Sequence, residues 1–140
     1  MPINKEAFYE GAAIFLLARA GGLSSIRYES PFFVLNDRLW AYLKYTTRVR
    51  SPWGFTFTAE EQQLLAESRK LNRVVLGLVC GGDGVASLSF DAYETVAPLS
   101  QSAVHVSCYR NHGKHYEVGG PAGTLTRKVA PSDWVRLLNT

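Results

Sequence analysis

The sequence predicts an α+β (mixed α/β) domain with a central mixed sheet in the order helix–strand–strand–strand–helix–strand, followed by a β-rich C-terminal half. Three observations predict it. An apolar, helix-periodic run opens the chain between Asn4 and Arg19. Alternating aromatic and β-branched stretches fill the region from Ser24 to Thr47. A capped helical run from Thr58 then leads into RVVLGLVC, whose near-continuous apolar character predicts a strand buried on both faces.

Taken in order, Asn4 is placed to cap the first helix, because its side-chain oxygen can accept a free amide of the first turn. Phe8, Ala12 and Phe15, with Ala7, Gly11, Ile14 and Ala18, predict one broad buried face. Gly21 and Gly22 supply the stop. SSIRYES, PFFVL and RLWAYLKYTT read as three strands, the last two joined in a hairpin by Asn36-Asp37. SPWG interrupts the pattern as a loop, and FTF leads to Thr58, which forms a capping box with Glu61. The helix that follows is expected to turn Leu64, Leu65 and Leu71 inward. After RVVLGLVC come a GGDG turn, the strand VASLSF, a short helix near Asp91 ended by Pro98, and strands at AVHVSCYR, HYEVGG and TLTRKVA. SDWVRLL predicts a final helical turn capped by Ser132.

The length of 140 residues suits one domain over 1–140, read as a core at 1–81 and a β-rich extension at 82–140. A net charge of +3 is compatible with nucleic acid, and an ordinary solvated surface is its more common explanation. AAIFLLARAGG is too short to span a bilayer and follows acidic residues, so the expectation is a cytoplasmic protein without membrane or leader. Cys80 and Cys108 lie in apolar runs, which predicts buried, unpaired thiols.

Four stretches are candidates for chemistry. Lys44 shares its strand face with Trp40 and Tyr42, so its ammonium needs either an acceptor or access to water. Arg48, Arg50 and Trp53 combine cations for phosphate with a ring for a base, although the preferred reading is that Trp53 and Phe55 staple the loop to the core while the arginines are solvated. RNHGKH carries Arg110 and Lys114 on a basic hairpin turn. With Cys108, its His112 and His115 provide three of the four ligands zinc requires, and the turn reading is preferred. GGDG lacks the lysine and helix of a phosphate-binding loop, and no nucleophile elbow is present.

Glu10, Leu17 and Gly21 in the first helix, Pro31 at the second strand, and Lys44 followed by Thr46 and Thr47 on the third resemble the restriction-endonuclease-like PD-(D/E)xK nucleases, including the Holliday-junction resolvases. The resemblance covers about the first eighty residues. It implies Glu10 and Lys44 as catalytic residues on one side of the sheet, with magnesium as cofactor. The sequence departs from the pattern at both metal-binding acids: Pro31-Phe32 stands for Pro-Asp and Tyr42-Leu43-Lys44 for Glu-x-Lys. A hard cation needs oxygen ligands, so the expectation is a nuclease-type domain without metal or ordinary catalysis. It would serve as a DNA- or RNA-binding or accessory protein using Lys44, Arg48, Arg50, Trp53, Arg110 and Lys114. Two alternatives stand beside it. One is an active metal-dependent nuclease with relocated acids, using Glu10, Glu29 or Asp37 with Lys44. The other is a protein-interaction module of mobile-element or defence context. Asp37 is read as a turn residue.

Overall fold

A computed structural model describes residues 2–139. It contains α1 (Lys5–Ala20), β1 (Ile26–Glu29), β2 (Phe32–Leu35), β3 (Leu39–Thr46), β4 (Trp53–Phe57), α2 (Ala59–Arg69), β5 (Arg73–Cys80), β6 (Gly84–Ser89), α3 (Phe90–Val96), β7 (Val104–Tyr109), β8 (Glu117–Gly120) and β9 (Gly123–Thr124). Five strands form one sheet in the order β1-β2-β3-β5-β6, and four form a second in the order β4-β7-β8-β9. In the first sheet β3 and β5 run parallel, as a strand–helix–strand crossover requires, and the other neighbours are antiparallel. The fold is α+β with a strand-rich C-terminal half.

Local chemistry sets most element ends. The Asn4 side chain accepts from the Ala7 amide at 2.8 Å, and the Gly21 amide closes α1 by donating to the Ala18 carbonyl. Asn36 and Asp37 have φ of 56° and 53°, a left-handed pair that opens the three-residue turn 36–38 between Leu35 and its partner Leu39. Thr58 and Glu61 satisfy each other's orphan amides in the expected capping box. The α3 cap is Ser89 rather than Asp91, and Asp91 lies in the first turn, where its charge suits the helix dipole.

Apart from the exposed edge strand β1, the five-stranded sheet carries a core on each face. Leu35, Leu39, Ala41, Leu43, Val75 and Val79 face α1 together with Trp134 and Leu138. Phe32, Tyr42, Leu76, Leu78, Cys80 and Leu88 face α2, α3 and the second sheet. β5 contributes to both cores, as its unbroken apolar run predicts. Cys80 and Cys108 are unpaired and buried. The hydrogen bond between their thiols, and then burial, hold Cys80 protonated well above the usual thiol range.

Four expectations are corrected. α1 buries Ala13 and Leu17, leaving Phe8 66% and Phe15 57% exposed, because the sheet takes the opposite face of a helix that is apolar nearly all round. In α2 only Leu65 and Gln62 are buried. Gln62 is satisfied there by the Phe57 and Ser102 carbonyls and the Ser100 amide, while Leu71 lies beyond the helix end, 87% exposed. The expected strand TLTRKVA shortens to β9 and a single bridge between Tyr116 and Val129. At the C-terminus, a 3-10 turn at Pro131–Asp133 starts from Ala130 rather than Ser132.

The two sheets do not divide at Gly82. β4 from the first half pairs with β7, and β6 from the second half pairs with β5.

Candidate functional site

β2 ends its pairing with β3 at Phe32↔Tyr42, since the chain has already turned toward β1 at Ser30 and Pro31. From Leu43 to Thr46, β3 therefore keeps β5 on one side and, among the described residues, pairs with no strand on the other. A cleft of about 420 Å³ opens at this fork, lined by Glu6, Glu10, Tyr28, Tyr42, Lys44 and Glu61 among others. Lys44 reaches it from the face shared with α2. Glu6 and Glu10 belong to α1, which packs on the opposite face, so the expected placement of Glu10 and Lys44 on one side of the sheet is corrected. They share the cleft because the open edge of β3 lets both faces reach it.

The Lys44 ammonium is already paired. It donates to Glu61 Oε2 at 2.7 Å and to the Thr56 carbonyl at 2.7 Å, and it sits 4.8 Å from the centre of the Phe57 ring. The Tyr42 hydroxyl donates to the same Oε2, and the Thr58 amide donates to Oε1 at 3.0 Å. Burial alone raises the Glu61 carboxyl. The hydrogen bonds from Lys44, Tyr42 and Thr58 outweigh it and leave the pKa below the usual range. Tyr42 is pushed well above the usual phenol range, by burial first and then by Glu61. Glu61 is the site residue that sequence reasoning missed. Its position in the capping box was legible, but nothing local showed that its second oxygen meets a strand seventeen residues earlier.

Glu10 is half-buried, and its carboxyl is raised from 4.5 to about 7, by desolvation first and by Glu6 second. With Lys44 neutralised by Glu61, Glu6 and Glu10 leave the cleft net acidic. Such a cleft repels phosphate and attracts cations. Glu29 is outside it, exposed and paired with Arg27, which also pairs with Asp37. Among the described residues no three His, Cys, Asp or Glu side chains converge to hold a metal ion. Cys108 is buried, whereas His112 and His115 are exposed on their turn.

The basic residues gather elsewhere, where the β3–β4, β5–β6 and β7–β8 loops meet. The Trp53 indole N–H donates to the Arg48 carbonyl at 2.9 Å, and the Ser51 hydroxyl donates to the Arg110 carbonyl at 3.1 Å. Gly81, at φ +55°, passes so close to the Arg48 carbonyl that a Cβ there would lie 2.2 Å from its oxygen. Arg110 bonds Asp83 at 2.8 Å and stacks over Tyr116. Arg48, Arg50 and Lys114 are exposed, and the Arg50 and Lys114 side chains have no partner among the described residues. Trp53 is 3% exposed. Its assignment as a base-stacking ring is therefore corrected: it is the core residue that holds the Arg48 loop. The structure thus brings Arg48, Arg50, Arg110 and Lys114 to one end of the molecule and leaves Lys44 apart from them.

Among family descriptions, curated proteins and solved structures, none matches this chain.

Proposed function

We propose that this chain is a nucleic-acid-binding or accessory domain whose nuclease-like cleft is catalytically silent. In this reading it contacts phosphates through the loop cluster of Arg48, Arg50, Arg110 and Lys114. The observation that carries the reading is the convergence of these four cations from two loops 60 to 66 residues apart in number, with Asp83 as the only acid bonded to any of them among the described residues. The cleft supports the silent half of the reading. Both oxygens of Glu61 and the charge of Lys44 are spent on each other, on Tyr42 and on Thr58, so neither is free for magnesium or for a scissile phosphate.

The test is binding of duplex and single-stranded oligonucleotides across a series of salt concentrations. Log affinity should fall linearly with log salt, with a slope of roughly −0.7 to −0.9 per phosphate contacted. Arg50→Glu with Lys114→Glu should flatten that slope by about 2, and Lys44→Met should leave it unchanged. Binding that ignores salt, or that survives the double variant intact, would overturn the assignment. A protein-interaction role has one observation of its own, the exposed Phe8 and Phe15 stripe on α1. Salt-insensitive capture of a protein partner, lost in Phe8→Gln, would favour it.

A further inference from the structure

A second basic surface lies along the free edge of β6, the outermost strand of the five-stranded sheet. Two adjoining hollows of about 590 and 400 Å³ share Ser87 and Ser89. Arg73, at the start of β5, lines the first hollow. Arg127, Lys128 and Arg136 line the second. All four cations are exposed, and none of their side chains has a partner among the described residues. The nearby acids are engaged: Asp91 binds Arg69 at 3.1 Å, and Asp133 accepts from the Ala130 amide at 3.1 Å.

The segment that carries three of these cations is fixed in place. Val129 exchanges two backbone hydrogen bonds with Tyr116, and Trp134, 1% exposed, donates its indole N–H to the Ala13 carbonyl at 2.9 Å. Six cations against Asp91 and Asp133 line the two hollows, and that excess of positive charge favours an anion between them. Guanidinium groups suit phosphate oxygens through paired N–H donors, and Ser87 and Ser89 line both hollows, Ser89 while its hydroxyl accepts from the Ala92 amide.

We infer that this groove binds a ligand through two or more adjacent phosphate groups. Arg73 is remote from the loop cluster, which lies beyond Cys80 at the other end of β5, whereas the Tyr116–Val129 bridge brings the Lys128 bank nearer to Lys114. Eight strand residues separate the ends, roughly 25 Å. A free polyphosphate and the backbone of a nucleic-acid strand present the same chemistry, so the experiment tests both sources.

The full chain is titrated by calorimetry with sodium tripolyphosphate at constant ionic strength, with sulfate as the control. Saturable binding stronger than sulfate is expected. Arg127→Glu with Arg136→Glu should weaken it by about tenfold or more, and Arg73→Glu on the other bank should also weaken it. Circular dichroism checks that each variant is folded. Arg50→Glu, on the β3–β4 loop, should bind tripolyphosphate like the wild type. A short single-stranded oligonucleotide that displaces tripolyphosphate identifies a nucleic-acid backbone as the source; failure to displace it identifies a small polyphosphate ligand. No binding above sulfate, or unchanged affinity in the folded groove variants, overturns the inference. Loss of salt-dependent oligonucleotide binding in the loop variant alone bears on the proposed function and leaves this result untouched.

Discussion

Glu61 serves three donors at once, from a β-strand lysine, a β-strand tyrosine and its own helix cap. Its side chain and that of Lys44 are about one-fifth exposed, between the surface and the buried cases. Removing one partner of such a pair leaves the other poorly solvated, so Glu61→Ala should cost about 2 kcal/mol or more. Lys44→Met should cost less, because methionine fills the same stem against Phe57 and leaves Glu61 with its Tyr42 and Thr58 bonds. Urea denaturation measures both, and equal losses would mean that the pair stabilises by charge alone. Glu10 gives a pH signature. Its folded pKa is raised, so protonation favours the folded state: the stabilisation is complete below about pH 4.5 and lost as pH rises through about 7. Glu10→Gln stays neutral throughout. The stability of wild type relative to this variant should therefore fall between pH 4.5 and 7, and a flat difference would show that the carboxyl is not desolvated.

At the scale of an element, α1 shows how far periodicity reaches. The sequence contains two candidate inner faces, and the larger side chains, Phe8 and Phe15, point to the one that the fold leaves in solvent. Packing selects the face bearing Ala13 and Leu17, where the small Ala13 side chain lets the helix approach the sheet and the Trp134 indole N–H reaches the Ala13 carbonyl. Leu17→Ala should cost about 2–5 kcal/mol, as expected for truncating a buried leucine. Phe8→Gln and Phe15→Gln should each change stability by only about 0.5–1 kcal/mol, with loss of the Arg19 contact to Phe15 the larger part in the second case. Thermal melts that rank the phenylalanines above Leu17 would show that the predicted face is the buried one.

For the whole molecule, the interleaving of the two sheets has a direct consequence. A chain cut after Asp83 keeps β4 but loses β7, its partner, and loses β6 from the edge of β5. It also loses Trp134 and Leu138 from the core beneath α1. Trp53, Phe55 and Phe57 would then have no second sheet to pack in. Residues 1–83 alone should therefore lack a cooperative unfolding transition and dispersed amide resonances. A fragment that melts cooperatively would show that the first half folds by itself.

Local signals in the sequence determined the elements that local chemistry controls. Asn4 and Thr58 with Glu61 mark helix starts, Asn36-Asp37 marks the hairpin, and the unbroken apolar run of β5 marks a strand between two cores. These depend on residues within a few positions of one another, so the sequence displays them directly. Only the tertiary structure decided that Lys44 is neutralised by Glu61, that Trp53 supports a loop instead of offering a ring, and that Arg73 lines a hollow adjoining the one lined by Arg127 and Arg136. Those relations join elements distant in sequence across a mixed sheet. Their partners are chosen by which faces pack together, a choice that no local periodicity encodes.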